Sequence, residues 1–117
     1  MPAVQAPEGI VGPSIAPSAV VWVGRREAMV VQITSDGRMS TCEISRGWLR
    51  QAPFLGHIVR AIGDQERLLI LGPSSMRVVL EREYASMFPR LERRVEVEAS
   101  GPVDAPQLAD RLRALAA

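Results

Sequence analysis

Leu68-Leu69-Ile70-Leu71 narrows the possible folds of this chain more than any other stretch. Four apolar residues without a polar break are too few to cross a bilayer, and a strand with no alternation needs cover on both faces. The flanking segments can supply that cover. Before the run, Pro53 can start a helix in which Phe54, Leu55, Ile58, Val59 and Ile62 share one face, with Gly63 as the stop. After it, Gly72-Pro73-Ser74-Ser75 turns into a second helix with Met76, Leu80, Tyr84 and Met87 at nearly every fourth position, ended by Pro89.

The preceding third of the chain has a different period. Ala19-Val20-Val21-Trp22-Val23 is β-branched and aromatic and reads as a buried strand. A tight connection over residues 24–27 leads to a second strand, Met29 to Ile33, and Ser35-Asp36-Gly37 carries a hairpin-turn signal. Met39 to Ile44 alternates imperfectly and reads as a third strand near a sheet edge. Beyond Pro89, Arg94-Val95-Glu96-Val97-Glu98 alternates as a half-buried strand should. Asp104 can cap a last helix with Leu108, Leu112 and Leu115 on its apolar stripe. The expected fold class is therefore α/β. A three-stranded antiparallel meander is followed by α-β-α-β-α, giving a mixed five-stranded sheet flanked by helices in the ribonuclease-H-like layout. Residues 1–18, with Pro2, Pro7, Pro13 and Pro17, read as a flexible leader, and residues 19–117 as one domain.

Composition removes several function classes. The net charge of +1 gives no global field toward nucleic acid or anionic lipid, although all the positive charge is arginine, whose planar fork suits phosphate. Cys42 is the only cysteine and His57 the only histidine, so neither an internal disulfide nor a catalytic triad can be assembled. Cys42 reads as a small strand residue and His57 as lying beside the apolar stripe. The N-terminal stretch lacks the basic start and apolar core of a signal peptide, so a cytoplasmic protein without membrane attachment is expected. No cofactor or metal is expected. A two-metal nuclease needs carboxylates gathered at the sheet, whereas Glu43, Asp64 and Asp104 fall on scattered edges.

Two stretches resemble one family. Residues 19–28, Ala19-Val20-Val21-Trp22-Val23-Gly24-Arg25-Arg26-Glu27-Ala28, are similar to the opening strand and turn of small bacterial "translational machinery" proteins. These are relatives of the archaeal and eukaryotic release-factor middle domain. The second stretch runs from Leu69-Ile70-Leu71-Gly72-Pro73 to Phe88-Pro89-Arg90-Leu91, then through Arg93-Arg94-Val95-Glu96-Val97-Glu98 to the helix around Gln107. The resemblance implies a ribosome or structured-RNA setting. It does not imply peptide release, because the family's Gly-Gly-Gln tripeptide is missing. Gly24 and Arg25 stand where members often carry Asp-His, and the family's histidine-rich loop is missing too.

The residues that could carry recognition are arginines, two serines and a tryptophan. Arg25 and Arg26 could grip a phosphate, or pair with Glu27 at the surface. Ser74 and Ser75 sit where open α/β sheets bind anions, or simply cap the following helix; the motif is not a P-loop. Arg90, Arg93 and Arg94 form the densest basic cluster, diluted by Glu92, Glu96 and Glu98. Trp22 reads as core. Trp48, between Gly47 and Leu49 with Arg46 and Arg50 nearby, is the better candidate for an exposed stacking contact. Three functions remain open: a non-catalytic RNA- or ribosome-binding module, a homodimer paired through Met39–Ile44, and a small hydrolase or nuclease.

Overall fold

A computed structural model describes residues 15–117, which form five strands and three helices. They are β1 (Ser18–Val23), β2 (Glu27–Ile33), β3 (Met39–Ser45), α1 (Gln51–Ile62), β4 (Arg67–Gly72), α2 (Met76–Met87), β5 (Arg94–Ala99) and α3 (Ala105–Ala116). The sheet order is β3-β2-β1-β4-β5. β1 pairs antiparallel with β2, and β2 with β3; β4 runs parallel to both β1 and β5. This is the mixed, ribonuclease-H-like sheet expected from the element order.

Alternation along β1 divides the core into two layers. Ala19, Val21 and Val23 face α1 and α2, where they pack with Val30, Ile70, Phe54, Ile58, Leu80 and Tyr84. Val20 faces the other way, toward Val31, Leu69, Leu71 and the α3 residues Leu108, Leu112 and Leu115. One helix thus covers a face of five strands. It covers the centre and leaves the flanks: β3 is exposed over most of its length, as an edge strand is. β4 is buried along nearly all its length because helices lie on both sides of it, which is what an unbroken apolar run requires. At about 1.5–3 kcal/mol per buried large side chain, this double layer is the main favourable term of folding.

Turn chemistry agrees with the sequence. Gly37 adopts φ 87° in the β2–β3 hairpin, where Asp36 accepts from Thr34 and from the Arg38 amide. Those bonds, the Thr34 hydroxyl first, hold the Asp36 carboxyl below its ordinary value. Gly63, at φ 70°, ends α1 with its amide on the Val59 carbonyl. Asp104 and Gln107 close a full capping box on α3.

Residues 15–18, expected to be part of a leader, are instead part of the described fold. Ser18 is fully buried in β1, and the Pro17 carbonyl accepts from the amides of Glu66 and Arg67 at 2.9 and 3.3 Å. The backbone of residues 17 and 18 is thus tied to β4, and Ile15 packs against the α3-side core; residues 1–14 of that expectation lie outside the described residues. No helix among the described residues is long and apolar enough to cross a membrane.

Gly72 closes β4 where it passes the end of β1. A Cβ there would run into the Val23 carbonyl oxygen, a backbone atom that cannot swing aside. Gly72→Ala is expected to lower stability by about 2–3 kcal/mol, read as an earlier urea midpoint with unchanged slope. A loss below 0.5 kcal/mol (about the spread of ordinary surface changes) would show that β1 and β4 separate freely at that end.

Candidate nucleic-acid interface

β1, β3, β4 and β5 all finish at one end of the sheet, because β2 is the only strand running against them. The loops that follow them, residues 24–26, 46–50, 73–75 and 100–104, are therefore gathered at that end. Ligands of open α/β sheets bind at the carboxyl ends of strands. Here that end is lined by arginine.

Backbone carbonyls hold these guanidiniums in place. Arg46 donates from Nε to the Leu49 carbonyl (2.8 Å) and from Nη1 to the Arg25 carbonyl (3.0 Å), and its amide donates to the Arg26 carbonyl at 2.8 Å. Its guanidinium also lies 5.7 Å from the Phe54 ring centre. Arg26 reaches the Gly47 carbonyl at 3.5 Å. The β1–β2 turn and the β3–α1 loop are thereby stitched together. Trp48, at the tip of the second loop, is fully exposed. Arg77 bends back over the β4–α2 turn to the carbonyls of Gly72 (3.2 Å) and Ser74 (2.7 Å). Among the described residues, Arg25, Arg26, Arg46, Arg50 and Arg77 form no ion pair with an acidic side chain. Glu27, the partner expected for Arg25 and Arg26, instead starts β2 beside Met29 and lines a groove with Trp22.

The two serines divide their roles. Ser74 Oγ accepts from the Met76 amide at 3.2 Å, satisfying the first amide of α2, while Ser75 stands at the N-cap position. Ser75 makes no side-chain capping bond.

The other basic cluster lies at the opposite end, and this part of the expected patch needs correction. The Arg93 side chain is only 4% exposed. It donates to the carbonyls of Gln65 (2.7 Å) and Phe88 and to the Asp64 carboxylate, and it lies 4.8 Å from the Tyr84 ring centre. Arg90 also reaches Asp64, at 3.5 Å, and Arg94 pairs with Glu96 at 2.7 Å. Arg93 is a buried tie, not a surface contact. The Tyr84 hydroxyl belongs to the same knot, donating to the Gly63 carbonyl (2.8 Å) and accepting from the Gln65 amide (3.0 Å); burial raises its pKa above the usual phenol value. The expected candidates thus separate by end: Arg25, Arg26, Trp48, Ser74 and Ser75 come together, while Arg90, Arg93 and Arg94 do not join them.

Trp22 also departs from the core position expected for it. It is half-buried, its Nε1 donates to the Gly101 carbonyl at 3.0 Å, and it walls an open groove. Cys42 and His57 are both exposed. Glu43, Asp64 and Asp104 lie on β3, after α1 and at the start of α3, and among the described residues no group of three or more His, Cys, Asp or Glu could hold a metal ion. Sequence reading does not single out Arg77, whose importance comes from bending back across a turn.

Fold and site together define a mixed α/β domain with an arginine-lined carboxyl end. Two solved structures share its fold: Pelota from Archaeoglobus fulgidus (TM-score 0.64, 14% identity over 85% of this chain) and Pelota from Thermoplasma acidophilum (0.62, 16% over 89%). This chain spans only 31% and 34% of those chains, about a third of each. At such identities the likeness is one of fold. No protein-family model and no curated protein matches the sequence.

The Arg93 knot has a measurable consequence. Arg93→Ala, which leaves the Gln65 and Phe88 carbonyls without their donor and removes the packing over Tyr84, is expected to lose at least about 2 kcal/mol of stability in denaturant unfolding. Arg90→Ala should change it by less than about 0.5 kcal/mol. Equal effects of the two substitutions would contradict this assignment.

Proposed function

We propose that this chain is a translation-related binding module whose arginine-lined end contacts RNA, most naturally on the ribosome. The observation that carries the reading is the set of guanidiniums of Arg25, Arg26, Arg46, Arg50 and Arg77, which have no acidic partner among the described residues and share one end of the sheet with the exposed Trp48. Arginine forks match phosphate oxygens, carbonyl anchors hold three of the forks (Arg26, Arg46 and Arg77) in position, and an exposed indole can stack an unpaired base. Ser75 and the start of α2 add hydroxyl and amide donors on the same side. The fold shared with a third of Pelota and the block order resembling release-factor middle domains support the translation setting. This reading includes no catalytic step and no cofactor, and a cytoplasmic location goes with it.

Sedimentation with ribosomes at low and high salt tests it. Binding should be salt-dependent, and Arg25→Ala/Arg26→Ala should weaken it while reducing the slope of log affinity against log salt by about 1–2, one neutralised phosphate per arginine. Trp48→Ala should weaken binding with little change in that slope, consistent with stacking worth about 1–3 kcal/mol. A chain absent from ribosomal fractions at every salt concentration would remove the reading.

A second reading, a homodimer paired through β3, rests on the difference between the two edge strands. β5 carries Arg94, Glu96 and Glu98 on one face, whereas exposed β3 carries Glu43 as its only charge and has no lysine, proline or bulge to blunt it. Light scattering at micromolar concentration decides between a mass near 12.8 kDa and twice that value. A monomer excludes this pairing.

A further inference from the structure

The groove beside Trp22 has a chemistry that the arginine-lined end does not explain. It has a volume of about 490 Å³, within the size range of small-ligand sites. It opens on the α3 side of the sheet, between the β1–β2 turn and the loop that leads into α3. Trp22 and Met29 supply aromatic and thioether lining, Pro102 and Val103 border it from the loop into α3, and Arg26 also lines it. The indole is held in a fixed orientation by its bond to Gly101. Glu27 and Glu43 also line the groove, and neither has a basic partner among the described residues. They lie diagonally across the β2–β3 pair, since Glu27 is opposite Ser45 and Met29 opposite Glu43.

We propose that this groove binds a guanine base, stacked on Trp22 and held on its Watson–Crick edge by a carboxylate of Glu43 or Glu27. The selection follows from hydrogen-bond inventory. A carboxylate only accepts, and it binds best where two donors stand side by side. Guanine presents the adjacent N1–H and N2–H donors on that edge. Adenine and cytosine present one amino group next to an acceptor nitrogen, and uracil one N–H between two carbonyls. Each of these sets a lone pair against the carboxylate. The apolar wall adds stacking that any base would gain, so the carboxylates supply the selectivity and the indole supplies sequence-independent affinity. Arg26 in that lining, with Arg25 beside it on the turn, is placed to meet the phosphate of the same nucleotide. In that respect the inference rests on the RNA-binding reading and adds to it the identity of an unpaired base.

Calorimetric titration of the whole chain with GMP, AMP, CMP and UMP, with the Trp22 indole N–H resonance followed by NMR, tests the proposal. The phosphate is the same in all four, so the differences report the base. GMP should bind at least about tenfold more tightly than the others and shift the Trp22 signal. Glu27→Gln/Glu43→Gln, checked for an unchanged fold by circular dichroism, should lose that preference, because each amide replaces an accepting oxygen with a donor. Equal affinity for the four nucleotides, or a preference that survives the double substitution, overturns the guanine site while leaving phosphate contact by the arginines intact. No binding of any nucleotide at millimolar concentration also overturns it. Ribosome sedimentation reports on the RNA-binding reading separately, so loss of sedimentation alongside a retained GMP preference would overturn that reading alone.

Discussion

The parallel pairing of β1 with β4 organises everything else in this molecule. β1 opens the meander and β4 is the first strand of the helix-crossover half, so their five-residue register from Ser18–Arg67 to Trp22–Leu71 joins two halves of different periodicity. Each side chain of this pair must find cover above or below the sheet, which requires α1 and α2 on one face and α3 on the other. The close approach of Gly72 to Val23 continues that contact to its end and brings the β4–α2 turn beside the β1–β2 turn. The arginine-lined surface exists because those turns meet there.

Charge is distributed unevenly over a nearly neutral chain. On β5, on α3 and around Asp64, arginines are matched with carboxylates. At the carboxyl end of the sheet, Arg46 and Arg77 are oriented by carbonyl oxygens, which hold a guanidinium without neutralising it. A carbonyl-bound arginine keeps its charge and its remaining donors available, and little rotamer entropy is left to lose when a phosphate arrives. A net charge of +1 therefore says little about what one end of the protein can attract.

Much of the fold was legible from period and punctuation. The α1 stripe, the unbroken β4 run, the Asp36-Gly37 turn and the Asp104 cap report local energetics, and local energetics is written in neighbouring residues. The boundary at Ser18 is not legible in the sequence because Pro17 suggests a linker, yet its carbonyl is recruited by the amides of Glu66 and Arg67. Trp22 reads as core because its neighbours in sequence are apolar, and it packs only at the margin of the α3-side core. Its exposed flank exists because a single twelve-residue helix, α3, cannot span the whole sheet.

Sequence alone therefore determined the kind and order of the elements, the mixed sheet they build, and the bias of the chain toward arginine chemistry. Which arginines are spent and which are free was decided only by tertiary structure. Arg93 and Arg26 look alike in the chain, each part of an arginine doublet next to glutamate. Folding packs the first over Tyr84 and against Asp64, and leaves the second lining a groove. The physical reason is that burial and charge pairing depend on partners about thirty residues away, brought close by strand pairing and helix docking, while helix and strand periodicity depends on residues two to four positions apart.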